Sequence, residues 1–240
     1  MSRPDNTKDA SHAAEDDAVQ WRDGATPYST RFEDTYFSDV DGREETRDVF
    51  LRGNGLPERW RDRDQFTITE LGFGTGLNFL ETVHQWQTTS SPGATLRFIS
   101  FEKYPLDAKD IRRALTPWTE LGALADDLVS TWPASGTIAL PGVQGVTLEL
   151  HRGDACQAVT KTDFAADAWY LDGFSPAKNP ELWDQYLMNA VFERTVPGGT
   201  FSTYTAAGWV RRNLADAGFQ IERVPGYGRK RERLQGNRPG

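Results

Sequence analysis

Three glycines stand at alternate positions directly after a carboxylate in the run Glu70-Leu-Gly-Phe-Gly-Thr-Gly76. This glycine run ends a β-prone stretch, residues 67–73, and a helical pattern begins at once with Leu77. A strand, a glycine turn and a helix start form a cradle for a nucleoside cofactor, because glycines let the backbone approach the ligand and the helix N-terminus offers unpaired N–H groups. Glycine-rich turns also occur where nothing binds, so the run alone is a weak signal.

The spacing of the glycines indicates which cofactor this turn would hold. A dinucleotide site prefers G-x-G-x-x-G, in which a pyrophosphate rests on the end of the helix. Here the third glycine, Gly76, comes one residue early, and Glu70 supplies a carboxylate just before the first glycine, Gly72. A carboxylate suits a cationic group such as the methionine ammonium of S-adenosylmethionine. The run therefore favours S-adenosylmethionine over a dinucleotide.

A second carboxylate, Asp172, ends another β-prone stretch and is followed by the irregular run Gly173-Phe-Ser-Pro-Ala-Lys-Asn-Pro180. An amine attacks a methyl group only with its lone pair free, and an alkylamine is mostly protonated near neutral pH. A carboxylate and backbone carbonyls around the nitrogen can take that proton and aim the lone pair at the methyl carbon. Asp172 is therefore the candidate catalytic base, although an Asp-Gly pair is also typical of an ordinary turn.

Two further carboxylates end predicted strands, where a doubly wound sheet places its site. Glu102 ends the stretch 96–102 and can accept hydrogen bonds from both hydroxyls of a ribose; the alternative is a helix-capping or surface acid. Asp154 follows the stretch 146–152 and can accept a hydrogen bond from an adenine amino group. The alternative for Asp154 is the N-cap of the next helix, and one residue can do both.

These side chains are positioned by a regular alternation of strands and helices after Pro27. Strands are predicted at residues 67–73, 96–102, 146–152, 168–174, 200–204, 219–224 and 230–235. Helices are predicted at residues 77–87, 106–115, 120–131, 155–160, 181–194 and 207–217. Alternation at this spacing predicts parallel β-α-β units, because parallel neighbours need a crossover connection.

The last two strands differ from the others. Pro225-Gly-Tyr-Gly228 joins them, and this turn is too short for a helix, so an antiparallel hairpin is expected. The predicted fold class is α/β: a Rossmann-like class I methyltransferase with a seven-stranded, mostly parallel sheet that ends in this hairpin.

Composition excludes several classes of protein. No stretch approaches the roughly 18 consecutive apolar residues of a membrane span, and the polar N-terminus lacks the apolar core of a secretory signal. Cys156 is the only cysteine, which excludes an internal disulfide and a cysteine-based zinc cluster. The three histidines are far apart, which argues against a metal site. A cytoplasmic protein with no metal and no membrane contact is expected.

The net charge of −8 is concentrated at the N-terminus. Residues 1–45 contain twelve acidic and five basic residues, so this segment carries −7 of the total. The composition of residues 1–24 predicts a disordered acidic tail, which leaves residues 25–240 as one domain. The body is close to neutral and has a basic end, which is interpreted either as a solvated edge or as a set of phosphate contacts: Arg229, Lys230, Arg231, Arg233 and Arg238.

From about residue 27 to residue 236 the chain resembles the methyltransferase domain of the bacterial tRNA 5-methylaminomethyl-2-thiouridine pathway, the MnmC type. The glycine run and the acidic strand ends are common to many methyltransferases. The runs that are specific to the resemblance are 53–60, 172–180 and 226–232. Shorter shared runs are 36–38, 45–51, 72–79, 98–103, 197–200 and 203–208.

The resemblance implies methyl transfer from S-adenosylmethionine to the primary amine of 5-aminomethyl-2-thiouridine at the tRNA wobble position, with Asp172 as the catalytic base. A base must leave its stack to reach such a pocket, and an unstacked anticodon loop lowers that cost. The implied cofactor-binding residues are Glu70, Gly72, Gly74, Gly76, Asn78, Glu102, Lys103 and Asp154. The implied tRNA contacts are Phe174 and Lys178 near the flipped-out uridine and Arg229, Lys230 and Arg231 at phosphates.

In many relatives of this type the domain is fused to a flavin-dependent oxidase that generates the amine. No oxidase domain is expected within these 240 residues, so a separate enzyme, or a pathway that makes the amine directly, is expected to supply the substrate. The acidic tail is no part of the family pattern and is expected to be dispensable.

Three alternatives remain open at this point. The acidic balance favours a methyltransferase that acts on a small-molecule or protein amine. An aminopropyl transferase would need several acids to hold a polyamine, and the loop 174–180 supplies none. A non-catalytic module that binds cofactor or RNA would not need both Asp172 and an intact glycine turn. Trp60 is expected to pack against the sheet rather than touch a ligand.

Overall fold

A computed structural model describes residues 19–22, 24, 26–38, 40–132 and 136–240 of the chain. The strands are β1 (Val19–Arg22), β2 (Thr26–Ser29), β3 (Asp34–Thr35), β4 (Gln65–Leu71), β5 (Thr95–Glu102), β6 (Gly136–Ala139), β7 (Val146–Arg152), β8 (Ala166–Leu171), β9 (Thr195–Thr203), β10 (Gln220–Pro225) and β11 (Glu232–Asn237). The α-helices are α1 (Gly42–Glu45), α2 (Leu77–Thr89), α3 (Ala108–Leu115), α4 (Gly122–Ser130), α5 (Ala155–Lys161), α6 (Gln185–Glu193) and α7 (Gly208–Ala217).

The main sheet has eight strands in the order β10-β11-β9-β8-β4-β5-β7-β6. The five strands from β9 to β7 are parallel, whereas β6, β10 and β11 pair antiparallel with their neighbours. The predicted α/β class and the C-terminal hairpin are confirmed, but the predicted count of seven strands is wrong by one. The sequence gives little sign of β6, because its four residues bury only Ile138.

The central strands are covered on both faces. Successive residues of β8 alternate between two hydrophobic clusters: Ala168 and Tyr170 face one, and Trp169 and Leu171 face the other. All six residues of this strand are buried, as expected for a parallel strand with helices on both sides. This core fixes the strand ends that carry the candidate acids.

Strand β4 lies between β8 and β5, with Leu71 opposite both Leu171 and Phe101. The residues that follow these strands therefore meet at one edge of the sheet, and they include Gly72 and Asp172. The order of the strands reverses at β4, which is where an open α/β sheet forms its ligand crevice.

The N-terminal strands form a small antiparallel sheet in the order β1-β2-β3. Strand β1 lies inside the segment 1–24 that the composition predicts to be disordered, and the prediction is wrong for its four residues. Pairing with β2 orders them, and the Arg113 guanidinium lies 4.0 Å from the centre of the Trp21 ring. Residues 1–18 and 23 of the predicted tail lie outside the described residues.

Helix α1 continues into a π-helical segment, Thr46–Leu51, and buried charge holds the joined helix against α2. Glu81 on α2 is fully buried and accepts hydrogen bonds from Arg43 at 2.6 Å and from Arg47 at 2.7 Å. Segments of π-helix occur frequently at functional sites. Here the segment carries Thr46 to the strand ends.

Trp60, farther along, is fully buried against Phe66 and Trp86, which confirms that it packs.

The C-terminal hairpin has a longer turn than the sequence predicts. Its second strand begins at Glu232 rather than at Lys230. Lys230 consequently lies in the connecting turn, where its side chain reaches the strand ends instead of alternating along an edge strand.

Candidate active site

A cavity of about 630 Å³ opens at the carboxyl ends of the central strands, within the range of pockets that hold a cofactor. Most of the residues predicted for the site line it: Gly72, Gly74, Asn78, Glu102, Lys103, Asp154, Asp172, Phe174, Lys178, Arg229 and Lys230. The structure thus brings together residues from four strand ends, two helix starts and the hairpin turn.

Three predicted site residues do not line this cavity. Glu70 is fully buried behind its wall, Gly76 precedes the first residue of α2, and Arg231 is exposed on the hairpin turn. Burial raises the pKa of Glu70 well above its ordinary value, which favours the uncharged carboxyl. Glu70 is therefore poorly suited to face a methionine ammonium directly, and its carboxyl reaches the cavity only through Asn78.

The glycine turn allows two backbones to meet. Gly72 has a φ of +84°, which favours glycine, and a Cβ on it would lie 3.1 Å from the Cα of Gly173. The loop after β4 and the loop after β8 are therefore packed backbone against backbone. Glycine at position 72 therefore permits the close packing of these two loops.

Glu102 is tied to the glycine turn by the main chain. Its carboxylate accepts hydrogen bonds from the backbone N–H of Gly74 at 3.0 Å and from that of Tyr104 at 2.7 Å. Burial nevertheless raises the pKa of Glu102 above its ordinary value. The arrangement fixes one carboxylate at the rim of the cavity, and a carboxylate there suits the two hydroxyls of a ribose.

Asp154 performs the capping role that the sequence leaves open. Its side chain accepts a hydrogen bond from the backbone N–H of Gln157 at 3.3 Å, so it caps α5. The other carboxylate oxygen lies 3.7 Å from the Lys103 ammonium, which also contacts Glu181 at 3.3 Å. Because Asp154 also lines the cavity, its role as a cap does not prevent a hydrogen bond with an adenine amino group.

Asp172 is held through the side chain of Asn78. The Asn78 amide nitrogen donates to Asp172 at 2.8 Å and to Glu70 at 3.0 Å. Thr46 donates its hydroxyl to the Asn78 amide oxygen at 2.7 Å, and this bond sets which way the amide faces. The chain Thr46–Asn78–Asp172 therefore ties the candidate base to the π-helical segment.

Burial raises the pKa of Asp172 to about 7. The backbone N–H of Gly173 and the Asn78 amide oppose this rise, the Glu45 carboxylate adds to it and the Lys230 ammonium opposes it. A carboxyl with this pKa exchanges its proton near neutral pH, as a general base must.

Aromatic rings and an acid from the N-terminal sheet cover the loop after β8. The Phe174 ring stacks on Phe32 with centroids 4.5 Å apart and meets the edge of Tyr36 at 5.0 Å. Asp34 accepts a hydrogen bond from the Ser175 N–H at 3.1 Å and lies 3.7 Å from the Lys178 ammonium. Phe32 covers one face of Phe174, so an incoming base can stack only on another part of this ring.

Lys230 makes its contacts within the cavity wall. Its ammonium lies 2.9 Å from the Glu45 carboxylate and 3.8 Å from the centre of the Tyr204 ring. The Tyr204 hydroxyl in turn donates to the backbone carbonyl of Gly173 at 2.9 Å. This differs from the predicted phosphate contact, because the charge of Lys230 is already paired inside the site.

Sequence reasoning gave no role to several residues of the cavity wall, namely Phe32, Asp34, Tyr36, Glu45, Thr46 and Tyr204. Tyr204 directly follows the parallel strand β9 but is not an acid, and the other five lie before β4, so the rule for acids at strand ends reaches none of them. The available signal was their place in or next to the shared runs 36–38, 45–51 and 203–208.

Two classes of feature do not occur in the part of the chain that the structure describes. None of its helices has the length and apolar character needed to cross a membrane. No group of three or more His, Cys, Asp or Glu side chains within it is placed to hold a metal ion.

Comparison with known proteins gives a family and a group of relatives. A family model described as S-adenosyl-L-methionine-dependent methyltransferase matches residues 119–239, just over half of the chain. The tRNA 5-methylaminomethyl-2-thiouridine biosynthesis bifunctional protein MnmC of Caulobacter vibrioides is 46% identical over 224 residues. That alignment covers 92% of this chain and 38% of the relative. The protein with the same name from Aeromonas hydrophila is 46% identical over 232 residues, which cover 92% of this chain and 35% of the relative.

One solved structure is similar over almost the whole chain. The crystal structure of MnmC2 from Aquifex aeolicus has a TM-score of 0.74 at 25% sequence identity. The superposition covers 95% of this chain and 74% of that one. The chain therefore has this fold, while it spans less than two fifths of the bifunctional relatives.

Proposed function

The chain belongs to the S-adenosyl-L-methionine-dependent methyltransferases, and from this premise we propose that it methylates the primary amine of 5-aminomethyl-2-thiouridine at the wobble position of tRNA. The bifunctional relatives are named for the biosynthesis of the methylated nucleoside, and this chain aligns with part of them. The observation that carries the proposal is the position of Asp172 beside the glycine turn, with a pKa of about 7.

The residues around the glycine turn fit the cofactor. S-adenosylmethionine, when bound, supplies a methyl group on a cationic sulfur, which the amine nitrogen takes as the carbon–sulfur bond breaks. Glu102 would hold the ribose hydroxyls, and Asp154 the adenine amino group. Gly72 and Gly74 would let the backbone approach the ligand, and glycine at position 74 also leaves room for the Tyr36 ring, which a Cβ would meet at 3.3 Å.

Asp172 removes the proton that blocks the amine. An alkylammonium has a pKa near that of lysine, about 10.4, so moving its proton to a carboxyl of ordinary pKa costs roughly 9 kcal/mol. With the pKa of Asp172 at about 7, the same transfer costs roughly 5 kcal/mol. Asn78 keeps the receiving oxygens oriented while the proton moves. Burial of Asp172 thus makes the amine a usable nucleophile near neutral pH.

The tRNA partner is proposed through the anticodon loop. Phe174 offers an aromatic surface for a flipped-out base, and Lys178 lies on the same loop. Arg229 at the cavity rim and the exposed Arg231 beside it are placed for phosphates. The reaction is proposed to take place in the cytoplasm, with a separate enzyme that supplies the aminomethyl group.

A second candidate is methylation of a small-molecule or protein amine, which the net charge of −8 favours.

Mass spectrometry of wobble nucleosides separates the two candidates. The protein is incubated with S-adenosylmethionine and tRNA that carries the unmethylated aminomethyl group, beside a cell extract depleted of RNA. We expect a gain of one methyl group on the wobble nucleoside with the wild type and none with Asp172→Asn. Methyl incorporation only into the RNA-free extract would overturn the tRNA proposal.

A further inference from the structure

The Lys230 side chain lies in a small subsite made by Glu45 and Tyr204, on the wall of the cavity that carries Asp172. We propose that this subsite binds alkylammonium groups, that Lys230 fills it in the free protein, and that the ammonium of the substrate displaces Lys230 before Asp172 takes its proton. The identity of the substrate rests on the proposed function, whereas the subsite itself is inferred from the contacts of Lys230 alone.

The contacts of Lys230 are those that a primary ammonium prefers. Its nitrogen lies 2.9 Å from a Glu45 oxygen, which is the distance of a charge-assisted hydrogen bond. It lies 3.8 Å from the centre of the Tyr204 ring, well within the roughly 6 Å limit of a cation–π contact. The side chain of Lys230 and an aminomethyl group end in the same chemical unit, a primary amine on a methylene carbon. The contacts that bind the Lys230 ammonium can therefore also bind the ammonium of an aminomethyl group.

The two walls of this subsite are fixed, whereas its occupant is not. Glu45 has a side chain only 12% exposed, and its second oxygen accepts the Ser38 N–H at 3.1 Å. Tyr204 is anchored by its hydroxyl to the Gly173 carbonyl. Lys230 has a side chain 42% exposed and lies in the hairpin turn, so it can swing outward without disturbing the sheet.

The subsite is linked to Asp172 from both sides. Thr46, the residue after Glu45, bonds the Asn78 amide that holds Asp172. Tyr204 bonds the residue directly after Asp172. An ammonium bound between these walls can therefore transfer its proton to Asp172 without leaving the cavity. The exchange also keeps the nearly buried Glu45 paired with a cation until Asp172 takes the proton, which avoids the cost of a lone buried charge while the substrate binds.

The test removes the Lys230 amine by mutation and measures whether a free alkylammonium binds in its place. In Lys230→Ala the subsite is vacated, and n-butylammonium chloride should raise the melting temperature by about 3 to 6 °C at ten times its Kd. Wild type, in which butylammonium must first displace Lys230, should show a smaller shift at the same concentration. Sodium chloride at equal ionic strength and 1-butanol serve as ligand controls. Lys109→Ala removes an exposed lysine on α3 and is the matched control variant, for which only the wild-type shift is expected.

The double variant Glu45→Gln/Lys230→Ala removes the carboxylate of the subsite and should lose the response to butylammonium. A shift of equal size in the wild type or in this double variant would overturn the proposal, as would no shift in Lys230→Ala. Circular dichroism and binding of S-adenosylhomocysteine establish that each variant is folded. None of these readings requires methyl transfer, so they remain valid if tRNA proves not to be the substrate.

A kinetic measurement extends the test to the reaction. With an anticodon stem-loop that carries the aminomethyl group, Glu45→Gln should raise KM by about tenfold or more, the loss of one charge-assisted contact, and should change kcat less. A fall in kcat with unchanged KM would show that Glu45 acts on the chemical step alone and would overturn its role in binding. If the stem-loop is not methylated by the wild type at all, the proposed function fails, while the butylammonium result still decides the subsite.

Discussion

Glu102 and Asp172 are two carboxylates at the carboxyl ends of β5 and β8, which lie on either side of β4, yet the protein holds them in different ways. Glu102 accepts two backbone N–H groups from the rigid turns beside it. Asp172 accepts hydrogen bonds from the backbone N–H of Gly173 and from the side-chain amide of Asn78, which Thr46 orients from the π-helical segment. Main-chain donors hold Glu102, whereas Asp172 is held in addition by a side chain that another side chain orients. We propose that this difference separates a cofactor anchor, Glu102, from a catalytic base, Asp172.

The largest effect is expected from Asp172→Asn. The amide keeps the shape of the side chain but cannot accept the proton, so kcat for methyl transfer should fall by about 100-fold to 10,000-fold. Binding of S-adenosylhomocysteine, measured by calorimetry, should change little. Retention of full turnover in this variant with normal cofactor binding would show that the two acids do not differ in the way described.

Glu102→Gln should show the opposite pattern. Loss of the charge at the ribose position is expected to weaken cofactor binding by about 10-fold to 100-fold, the value of one hydrogen bond to a charged group. At saturating cofactor, kcat should stay within a few-fold of the wild type. The same calorimetry and initial rates measure both quantities. If Glu102→Gln binds the cofactor normally but turns over slowly, Glu102 acts in the chemical step and the proposed roles of Glu102 and Asp172 are wrong.

Thr46→Val removes the hydroxyl that orients the Asn78 amide and should lower kcat severalfold. Since the bond from Asn78 holds down the pKa of Asp172, a misoriented amide should move the midpoint of the pH–rate profile upward. Thr46→Ser restores the hydroxyl and should recover both values. A purely structural loss would change the rate without moving the midpoint, and serine would then offer no specific rescue.

Stability should respond to Asp172 in the opposite direction from activity. Its pKa in the folded protein is about 7, above the ordinary value of 3.8, so the folded state binds the proton more tightly than the unfolded state between these values. This residue therefore lowers the free energy of unfolding as pH rises toward 7. Asp172→Asn should be more stable than the wild type by about 1 to 3 kcal/mol at pH 8 and by less at pH 5. Urea unfolding at the two pH values measures the difference, and an unchanged gap would contradict it.

The smallest effect is expected from deletion of residues 1–18. Strand β1 begins at Val19 and packs through Trp21 against Arg113, so a cut before this strand leaves the described fold intact. Methylation of tRNA should be unchanged within about twofold. A large loss would assign the acidic segment a role in the reaction. Deletion through residue 24 would also remove β1 and serves as the destabilised comparison.

The sequence predicted those parts of the site that local patterns determine. Glu102 and Asp172 were found because an acid after a β-prone stretch lies at the carboxyl edge of a parallel sheet. Glu45 follows no parallel strand, and Tyr204 follows β9 but is not an acid, so neither fits this pattern; the two come together only through the packing of α1 near the strand ends. Lys230 was predicted to meet phosphate from its place in a basic run, but a run does not reveal that a distant carboxylate pairs with it. Glu70 was found by proximity to glycine, which does not show that its side chain lies behind the wall.

The pH dependence of a single turnover tests the role of Asp172 most directly. With cofactor and aminomethyl stem-loop both saturating, the wild-type rate should rise about tenfold per pH unit below 7 and level off above it, as the carboxyl of Asp172 loses its proton. Asp172→Asn should give a much lower rate without this inflection. The same inflection near pH 7 in Asp172→Asn would contradict the assignment, because another group would then be receiving the proton.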